Sequence, residues 1–124
     1  MKKITIQTTE KKQVVDITGK INNNLAEGSG VATLLLQHTT AALTTADLDP
    51  GTDLDMLDAI EKIAPKLKYR HPHNPAHAPD HIMSSIIGTN LSLPYENGEL
   101  VLGTWQRVVL IELDGPRKRT IVIQ

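Results

Sequence analysis

The amino-acid sequence predicts one α+β domain over residues 1–124, with largely antiparallel, sandwich-like β-sheets and about three short helices. Alternating apolar residues near both ends of the chain, such as Ile4 and Ile6, are typical of half-buried strands. The dipeptide Asn97-Gly98 lies between two apolar runs and predicts a hairpin with a type I′ turn, because both central residues of that turn need positive φ. Amphipathic stretches in the middle of the chain predict helices, and this order of elements favours the α+β class.

The composition limits the possible partners. The formal net charge is -1, so no overall field attracts nucleic acid or an anionic membrane. The chain has no cysteine, which excludes disulfides and thiolate metal sites. Lys2 and Lys3 are followed by Thr5 and Gln7 rather than by the apolar region of a signal peptide, and no run approaches the ~20 apolar residues of a membrane span. We therefore expect a cytoplasmic protein with neither nucleic-acid nor membrane partners.

The first third of the chain predicts three strands and one helix. Residues 2–8 and 13–17 have the pattern of two short strands, and the polar residues between them suggest an opening hairpin. Thr18 is a suitable cap for a short helix, which Gly28 would end. Residues 31–37 predict a strand that is covered on both faces.

Two helices and a final strand are predicted further along. A helix should begin at position 52 or 53 and end at Pro65. Its apolar face comprises Met56, Leu57, Ile60, Ile63 and Ala64. A shorter helix should run from about Asp80 to Gly88, and Arg119–Ile123 has the pattern of a last strand.

The predicted hairpin spans Leu91–Glu112, and its second arm is unusually long. Gly103 interrupts this arm, as a bulge or a close backbone approach would require. Beyond it, the period of two places Thr104, Gln106 and Glu112 on one face with apolar neighbours. Polar groups on a face that is otherwise core need partners, so this arm is expected to carry part of a site.

The histidines are unevenly distributed. Four of the five lie between positions 71 and 81, and His38 follows the predicted buried strand. Three imidazoles with an open fourth position are typical of catalytic zinc. Pro79 lies between His77 and His81, which argues against a helix that holds both rings on one face. The alternative is a solvated loop whose histidines are incidental.

Each other candidate also has a structural explanation. The segment His38-Thr39-Thr40 could be a capped strand end. Glu112 could pair with Arg107 or Arg119 at the surface, where an ion pair contributes little. Trp105 could belong to the core or to an interface. Their occurrence together in one small domain favours a site.

A series of short segments spans nearly the whole chain: Gln37–Thr44 (QHTTAALT), Asp49-Pro50, Tyr69–His71 (YRH), His77–Ile82 (HAPDHI), Ile87-Gly88, Asn97-Gly98, Leu102–Gln106 (LGTWQ) and Glu112. In these segments and their order, the sequence resembles the YjbQ family, whose members are also called secondary thiamine-phosphate synthases. The combination of His-Thr-Thr with Gly-Thr-Trp-Gln makes the resemblance specific.

The resemblance implies a homotrimer of small β-rich subunits with clefts near the subunit boundaries. It also implies a metal or anion site built from His38, His71 and His81, with His73 and His77 as possible neighbours. The metal would be divalent, with zinc the expected ion. The activity assigned to the family joins a hydroxymethylpyrimidine diphosphate to a thiazole phosphate and gives thiamine phosphate.

Two classes of function follow. In the enzyme hypothesis, the metal acts as a Lewis acid on a phosphorylated substrate. Gln106 and Thr39 orient the substrate, and Glu112 accepts a proton or holds another group in place. The substrate-binding residues would be Trp105, Thr40 and Asp49. In the alternative, the same imidazoles form a non-catalytic module that binds a metal, an anion or a small metabolite. The sequence has no glycine-rich phosphate loop, so side chains or a metal would have to hold a phosphate.

Overall fold

The computed structural model describes residues 1–124, which form eight β-strands, three α-helices and one short 3-10 turn. The strands are β1 (Lys2–Gln7), β2 (Gln13–Asp16), β3 (Gly30–Leu36), β4 (Ala41–Ala46), β5 (Asn90–Glu96), β6 (Glu99–Leu100), β7 (Arg107–Glu112) and β8 (Lys118–Ile123). The helices are α1 (Thr18–Asn22), α2 (Thr52–Ile63) and α3 (Ala78–Ile87), with the 3-10 turn at Pro75–His77.

The strands form two sheets in which every pair is antiparallel. The five-stranded sheet has the order β1-β8-β3-β5-β6, and the three-stranded sheet has the order β2-β7-β4. With three helices beside them, these sheets confirm the predicted α+β fold.

Two apolar cores share the three-stranded sheet. Val108 and Leu110 of β7 belong to a core that also contains residues of β1, β3, β5 and β8, so it lies between the two sheets. Val109 and Ile111 belong to a second core, which α2 and α3 cover. Side chains of a strand alternate between its two faces. This is why β7 is buried on both sides and can carry the buried Glu112 at its end.

The two longer helices begin and end close to the predicted positions. Helix α2 follows Gly51, whose φ of 89° is left-handed, and it ends just before Pro65. Ile63 is 64% exposed, so its predicted place on the apolar face is wrong. Helix α3 begins directly after His77 with Pro79 in its first turn, where the amide hydrogen is not needed, and it ends at Gly88. None of the helices is both long and apolar enough to cross a membrane.

The predicted opening hairpin is wrong. β1 pairs with β8 and β2 pairs with β7, so the two strands belong to different sheets. The first helix is also shorter than predicted, since it ends at Asn22, well before Gly28. Local sequence identified these strands but not their partners, which lie at the opposite end of the chain.

The Asn97-Gly98 turn is confirmed, with φ values of 53° and 76°. The prediction of one long second arm is wrong, however, because this part of the chain is divided between the two sheets. β6 contains only two residues, the chain then leaves the first sheet, and β7 begins in the second. Thr104 and Gln106 lie in the exposed connecting segment and do not share a face with Glu112.

Strand β4 was not predicted from sequence, because its small and hydroxyl residues lack the pattern of a strand. It pairs with β7 along its whole length. Ala41 and Ala42 are completely buried. The hydroxyl of Ser84 on α3 donates to the Ala41 carbonyl at 2.6 Å. Ala42 shares a core with Met83 of α3, so a small side chain at this position lets the helix pack closely on the strand, whereas Ala41 lies in the core between the sheets.

Candidate functional site

A cleft of about 650 Å³ lies where the segment between β3 and β4 meets the segment between β7 and β8, beside the start of α3. We call it the polar cleft, because none of its ten lining residues is hydrophobic. They are Gln37, His38, Thr39, Thr40, His77, His81, Asp114, Arg117, Lys118 and Arg119.

Behind the polar cleft lies a buried ion pair between Glu112 and Arg119, which are 0% and 1% exposed. Arg119 donates from Nε to Oε1 of Glu112 at 2.9 Å and from Nη2 to Oε2. Thr8 Oγ1 donates to Oε1 at 2.7 Å, and the amide of Asp114 donates to Oε2 at 3.1 Å. The Glu112 carboxylate therefore accepts four hydrogen bonds inside the protein.

These bonds determine the charge state of Glu112. Burial alone would raise the pKa of this carboxyl group, but the bonds from Arg119, Thr8 and the Asp114 amide outweigh burial and lower the pKa. A saturated carboxylate with a lowered pKa is a poor proton acceptor. The geometry favours the second predicted role of Glu112, which is to hold another group in place, and that group is Arg119.

Arg119 has one nitrogen without a partner inside the chain. Its Nη2 also donates to the carbonyl oxygen and the hydroxyl of Thr40, at 3.1 and 2.9 Å. The remaining nitrogen, Nη1, has no acceptor in the chain. Every buried side-chain nitrogen and oxygen of the protein has a hydrogen-bond partner. Nη1 must therefore reach the protein surface, and Arg119 lines the polar cleft. The guanidinium is fixed on one side and free to donate on the other.

The Asp114 carboxylate, at the wall of the polar cleft, lies close to two cationic side chains and one imidazole. The buried carboxylate lies 3.1 Å from Nη2 of Arg117, 3.6 Å from Nζ of Lys11 and 3.7 Å from Nδ1 of His77. Burial raises the pKa of Asp114, but the hydrogen bond from Arg117 and the neighbouring charges outweigh that effect and lower it. The carboxylate stays ionised and holds Arg117 and His77 beside the cleft.

His38 is held by the backbone of β8. The amide of Thr120 donates to its Nε2 at 2.9 Å. Burial lowers the pKa of the His38 imidazole, and the charges of Arg119 and Arg117 lower it further, against an opposing effect of Glu112. His38 is therefore a neutral ring at the wall of the polar cleft.

The three predicted metal ligands do not form one site in this chain. The rings of His71 and His81 are close, with centroids 4.7 Å apart. His38 and His81 line the polar cleft together with His77, whereas His71 does not. No group of three or more histidine, aspartate or glutamate residues could hold a metal ion. His38 also has its Nε2 lone pair engaged, so the residues as placed do not fit a three-histidine site.

The remaining predicted residues divide between the cleft and the exterior. Thr39 and Thr40 line the polar cleft, and Thr40 bonds to Arg119. Trp105 is 72% exposed outside it. Gln106 accepts from the Gly103 amide and donates to Thr45 Oγ1, so it stabilises the segment between β6 and β7. Asp49 is exposed in the loop before α2, where its carbonyl accepts from the Thr52 amide.

Sequence reasoning missed most of the cations of the cleft. The sequence patterns do not predict Arg117 or Lys118, nor the polar residues Gln37 and Asp114, and they predict Arg119 only as a possible surface partner of Glu112. One signal was present: Arg119, Ile121 and Ile123 alternate along β8, and all three are buried. An arginine in phase with two core isoleucines implies a buried charge that needs a partner.

A second, apolar cleft of about 980 Å³ lies between α2, the segment that follows it, and the start of α3. The segment around Pro75–His81 separates it from the polar cleft, since Ala76, Pro79 and Asp80 line the apolar side. At its wall, Lys12 Nζ donates to Asp80 Oδ1 and to the Leu113 carbonyl, both at 2.6 Å.

These features define a class of small antiparallel α+β proteins with a cation-lined cleft at the ends of β3 and β8. The chain belongs to the family described as UPF0047 protein YjbQ-like, whose sequence profile matches residues 2–124. The predicted resemblance to the YjbQ family is therefore confirmed.

Individual relatives agree along their whole length. The UPF0047 protein YugU of Bacillus subtilis is 35% identical over 128 residues, which cover 100% of this chain and 97% of YugU. A UPF0047 protein of Archaeoglobus fulgidus is 32% identical over 122 residues, covering 98% of this chain and 97% of the relative. The crystal structure of a conserved hypothetical protein from Thermus thermophilus has a TM-score of 0.90 at 32% identity and covers 100% of this chain and 98% of its own.

Proposed function

We propose that the protein binds the phosphate of a phosphorylated small molecule in the polar cleft and transfers a group from it. The observation that carries the proposal is the free Nη1 of Arg119, on a guanidinium that is otherwise buried and paired. N–H donors on a guanidinium bind phosphate oxygens strongly, because the hydrogen bonds are assisted by charge. Arg117 and Lys118 bring the number of strong cations lining the cleft to three, against the single carboxylate of Asp114.

The reaction comes from the family resemblance. A hydroxymethylpyrimidine diphosphate would be joined to a thiazole phosphate, and diphosphate would leave. Both reactants carry phosphate, and a diphosphate leaving group requires several cationic donors. The chain has no glycine-rich phosphate loop, so the side chains of the cleft, with Thr39 and His81 as further polar groups, supply these contacts. The predicted zinc stays a prediction, and nothing in the phosphate-binding proposal depends on it.

One observation favours the alternative, a module that binds a phosphorylated metabolite without reacting it. Neither carboxylate near the cleft is free to accept a proton. Glu112 accepts four internal hydrogen bonds, and Asp114 is surrounded by the cations Arg117 and Lys11 and by the imidazole of His77. A transferase that needs proton transfer would have to use an imidazole or the substrate itself.

The first experiment measures binding of inorganic pyrophosphate by titration calorimetry at low salt. Arg117→Gln and Lys118→Gln should each weaken binding about tenfold, because each removes a charge-assisted donor. Lys62→Gln, on the exposed face of α2, is the matched control and should leave affinity unchanged. Absence of binding to the wild type would refute both candidate functions.

The second experiment separates enzyme from module. The protein is incubated with hydroxymethylpyrimidine diphosphate and thiazole phosphate, and thiamine phosphate is measured by chromatography. Product formation that Lys118→Gln slows supports the transferase. Pyrophosphate binding without any product supports the module.

The quaternary structure is part of the proposal, which is a cytoplasmic homotrimer. Val31 and Leu35 on the outer face of β3 are 63% and 44% exposed in the single chain, and Trp105 is 72% exposed. Contact between subunits would remove such side chains from water. Light scattering at micromolar concentration should give three times the 13.6 kDa chain mass, and Trp105 fluorescence should shift on dissociation. A monomer at that concentration would contradict the trimer.

A further inference from the structure

The imidazole of His38 has a fixed orientation between β3 and β8. His38 follows β3 closely, and the neighbouring Gln37 amide donates to the Thr120 carbonyl at 3.0 Å. The Thr120 amide in turn donates to Nε2 of His38 at 2.9 Å. These two bonds join the end of β3 to β8 and fix which nitrogen of the ring faces the backbone.

The same bond determines the tautomer. A backbone amide can only donate, so Nε2 must be the unprotonated nitrogen that accepts. A neutral imidazole then carries its proton on Nδ1. A second proton on Nε2 would set one N–H against another, and Arg117 and Arg119 already disfavour further positive charge on the ring.

The other nitrogen remains available to a ligand. Nδ1 has no hydrogen-bond partner in the chain. Because every buried side-chain polar atom does have a partner, Nδ1 must reach the surface. His38 lines the polar cleft. An N–H donor on a neutral ring is therefore available from a residue that lines the same cleft as Arg119.

We propose that His38 binds the ligand of the polar cleft as a neutral hydrogen-bond donor through Nδ1–H, and is neither a metal ligand nor a base. The inference rests on the proposed function, because it assigns a role within the same cleft. A metal requires a nitrogen lone pair. The lone pair on Nε2 is used by Thr120, and Nδ1 carries a proton. Metal binding would require breaking the bond to Thr120 or removing the last proton from the ring.

His38 then recognises one kind of ligand atom. Because the ring can only donate through Nδ1–H, the ligand atom opposite it must be a hydrogen-bond acceptor, such as a phosphoryl oxygen. A ligand with an N–H group at this position would bind poorly. The ligand then meets two different donors, the charged Nη1–H of Arg119 and the neutral Nδ1–H of His38. Because His38 is neutral, its contribution to binding should not strengthen as the pH falls to about 6.5.

The tautomer is measured directly by two-bond ¹H–¹⁵N correlation NMR on protein labelled with ¹⁵N-histidine, with His38→Gln providing the assignment. We expect a protonated Nδ1 and an unprotonated Nε2 for His38 near neutral pH, unchanged when zinc is added. A protonated Nε2, or a change of either His38 nitrogen to a metal-bound signal with zinc, would overturn the proposal.

The donor role is measured by pyrophosphate titration of His38→Ala and His38→Asn. The alanine variant should bind about three- to tenfold more weakly, because one hydrogen bond is lost. The asparagine variant should recover affinity, because its amide N–H can replace Nδ1–H. His73→Ala, which is exposed and outside the cleft, is the control. Circular dichroism verifies folding, and the NMR signals decide the tautomer even if His38→Ala is unstable.

The outcomes separate this inference from the proposed function. If the wild type binds pyrophosphate and His38→Ala binds equally well, the donor role is wrong and the cleft proposal stands. If the wild type does not bind, the proposed function fails and the donor role fails with it. The tautomer measurement then still decides whether His38 is free to bind metal.

Discussion

Glu112→Gln should destabilise the fold strongly rather than remove a catalytic base. The substitution keeps the size of the side chain but replaces one carboxylate oxygen by an NH₂ group. Each of the two oxygens faces donors, with Thr8 and Arg119 on one and Arg119 and the Asp114 amide on the other. Whichever way the new amide turns, one donor faces another, and the buried Arg119 keeps a charge without its counter-ion.

The magnitude follows from burial. The side chains of Arg119 and Glu112 are 2% and 0% exposed, so solvent screens their interaction little. Breaking such a pair costs about 3–5 kcal/mol, mostly from the uncompensated charge that remains. A domain of this size has a total stability of about 5–15 kcal/mol, so the loss is a large fraction. Replacing both residues by apolar ones, as in Glu112→Leu with Arg119→Met, should recover most of it.

Urea unfolding at one protein concentration gives the free energy of unfolding of each variant, since any oligomer adds a concentration dependence. Arg107→Gln is the matched control. Its ion pair with Asp16 has a length of 2.8 Å, but both side chains are more than a third exposed, so its loss should cost less than about 1 kcal/mol. If Glu112→Gln changed stability by less than about 1 kcal/mol and abolished turnover, Glu112 would be a catalytic base and not a residue that holds Arg119 in place.

Three further predictions concern the same region. Acid should destabilise the protein as the pH falls below about 4, because the pKa values of Glu112 and Asp114 are lower in the folded than in the unfolded protein. The stability from these two groups is present above their unfolded pKa values and is lost as the pH falls through their folded pKa values. Melting temperatures between pH 6 and about 3 measure this loss, and a melting temperature that does not change with pH would contradict it. Gly115→Ala should cost about 1–3 kcal/mol in urea unfolding, because a Cβ at this position would clash with the backbone oxygen of Glu10 and lie 2.8 Å from Cγ of Glu112. Gly19→Ala is the control, because a Cβ there meets nothing within 4 Å and should cause far less steric strain. In elemental analysis after growth with zinc, His38→Ala should contain as much metal as the wild type, and a sharp loss would restore the predicted three-histidine site.

Local signals predicted most of the elements of the fold. Asn97-Gly98 forms the turn that its backbone preference requires, and Pro65 and Gly88 mark the ends of α2 and α3. Pairing was not predictable in the same way, because β1 and β8 lie at opposite ends of the chain. Ala41 and Ala42 of β4 also carry no strand preference of their own. They are strand residues because they pair with β7, and they are buried on opposite faces, Ala41 between the sheets and Ala42 beneath α3, which only the tertiary structure reveals.

The site was predictable where strand periodicity applied and not where loops determined the result. The alternation of Arg119 with Ile121 and Ile123 indicates a buried cation, and Glu112 is its available partner at the end of β7. The path of residues 66–77 depends on tertiary packing. Sequence spacing therefore did not reveal that His77, and not His71, lines the polar cleft.

The buried pair explains how one arginine can act as an anchor for an anion. A free arginine side chain loses rotamer entropy and hydration when it binds an anion, and both losses weaken binding. Arg119 is already immobilised by Glu112 and Thr40, and all but one of its nitrogens are bonded within the protein. Both losses therefore occur during folding, and under the proposed function Nη1 would meet the ligand in a fixed position. His38 is immobilised in the same way by the Thr120 amide. Two donors are thus held in place by β8 and its neighbours before any ligand arrives. In the proposed function, this preorganisation is how a cleft without a glycine-rich loop would select a phosphate.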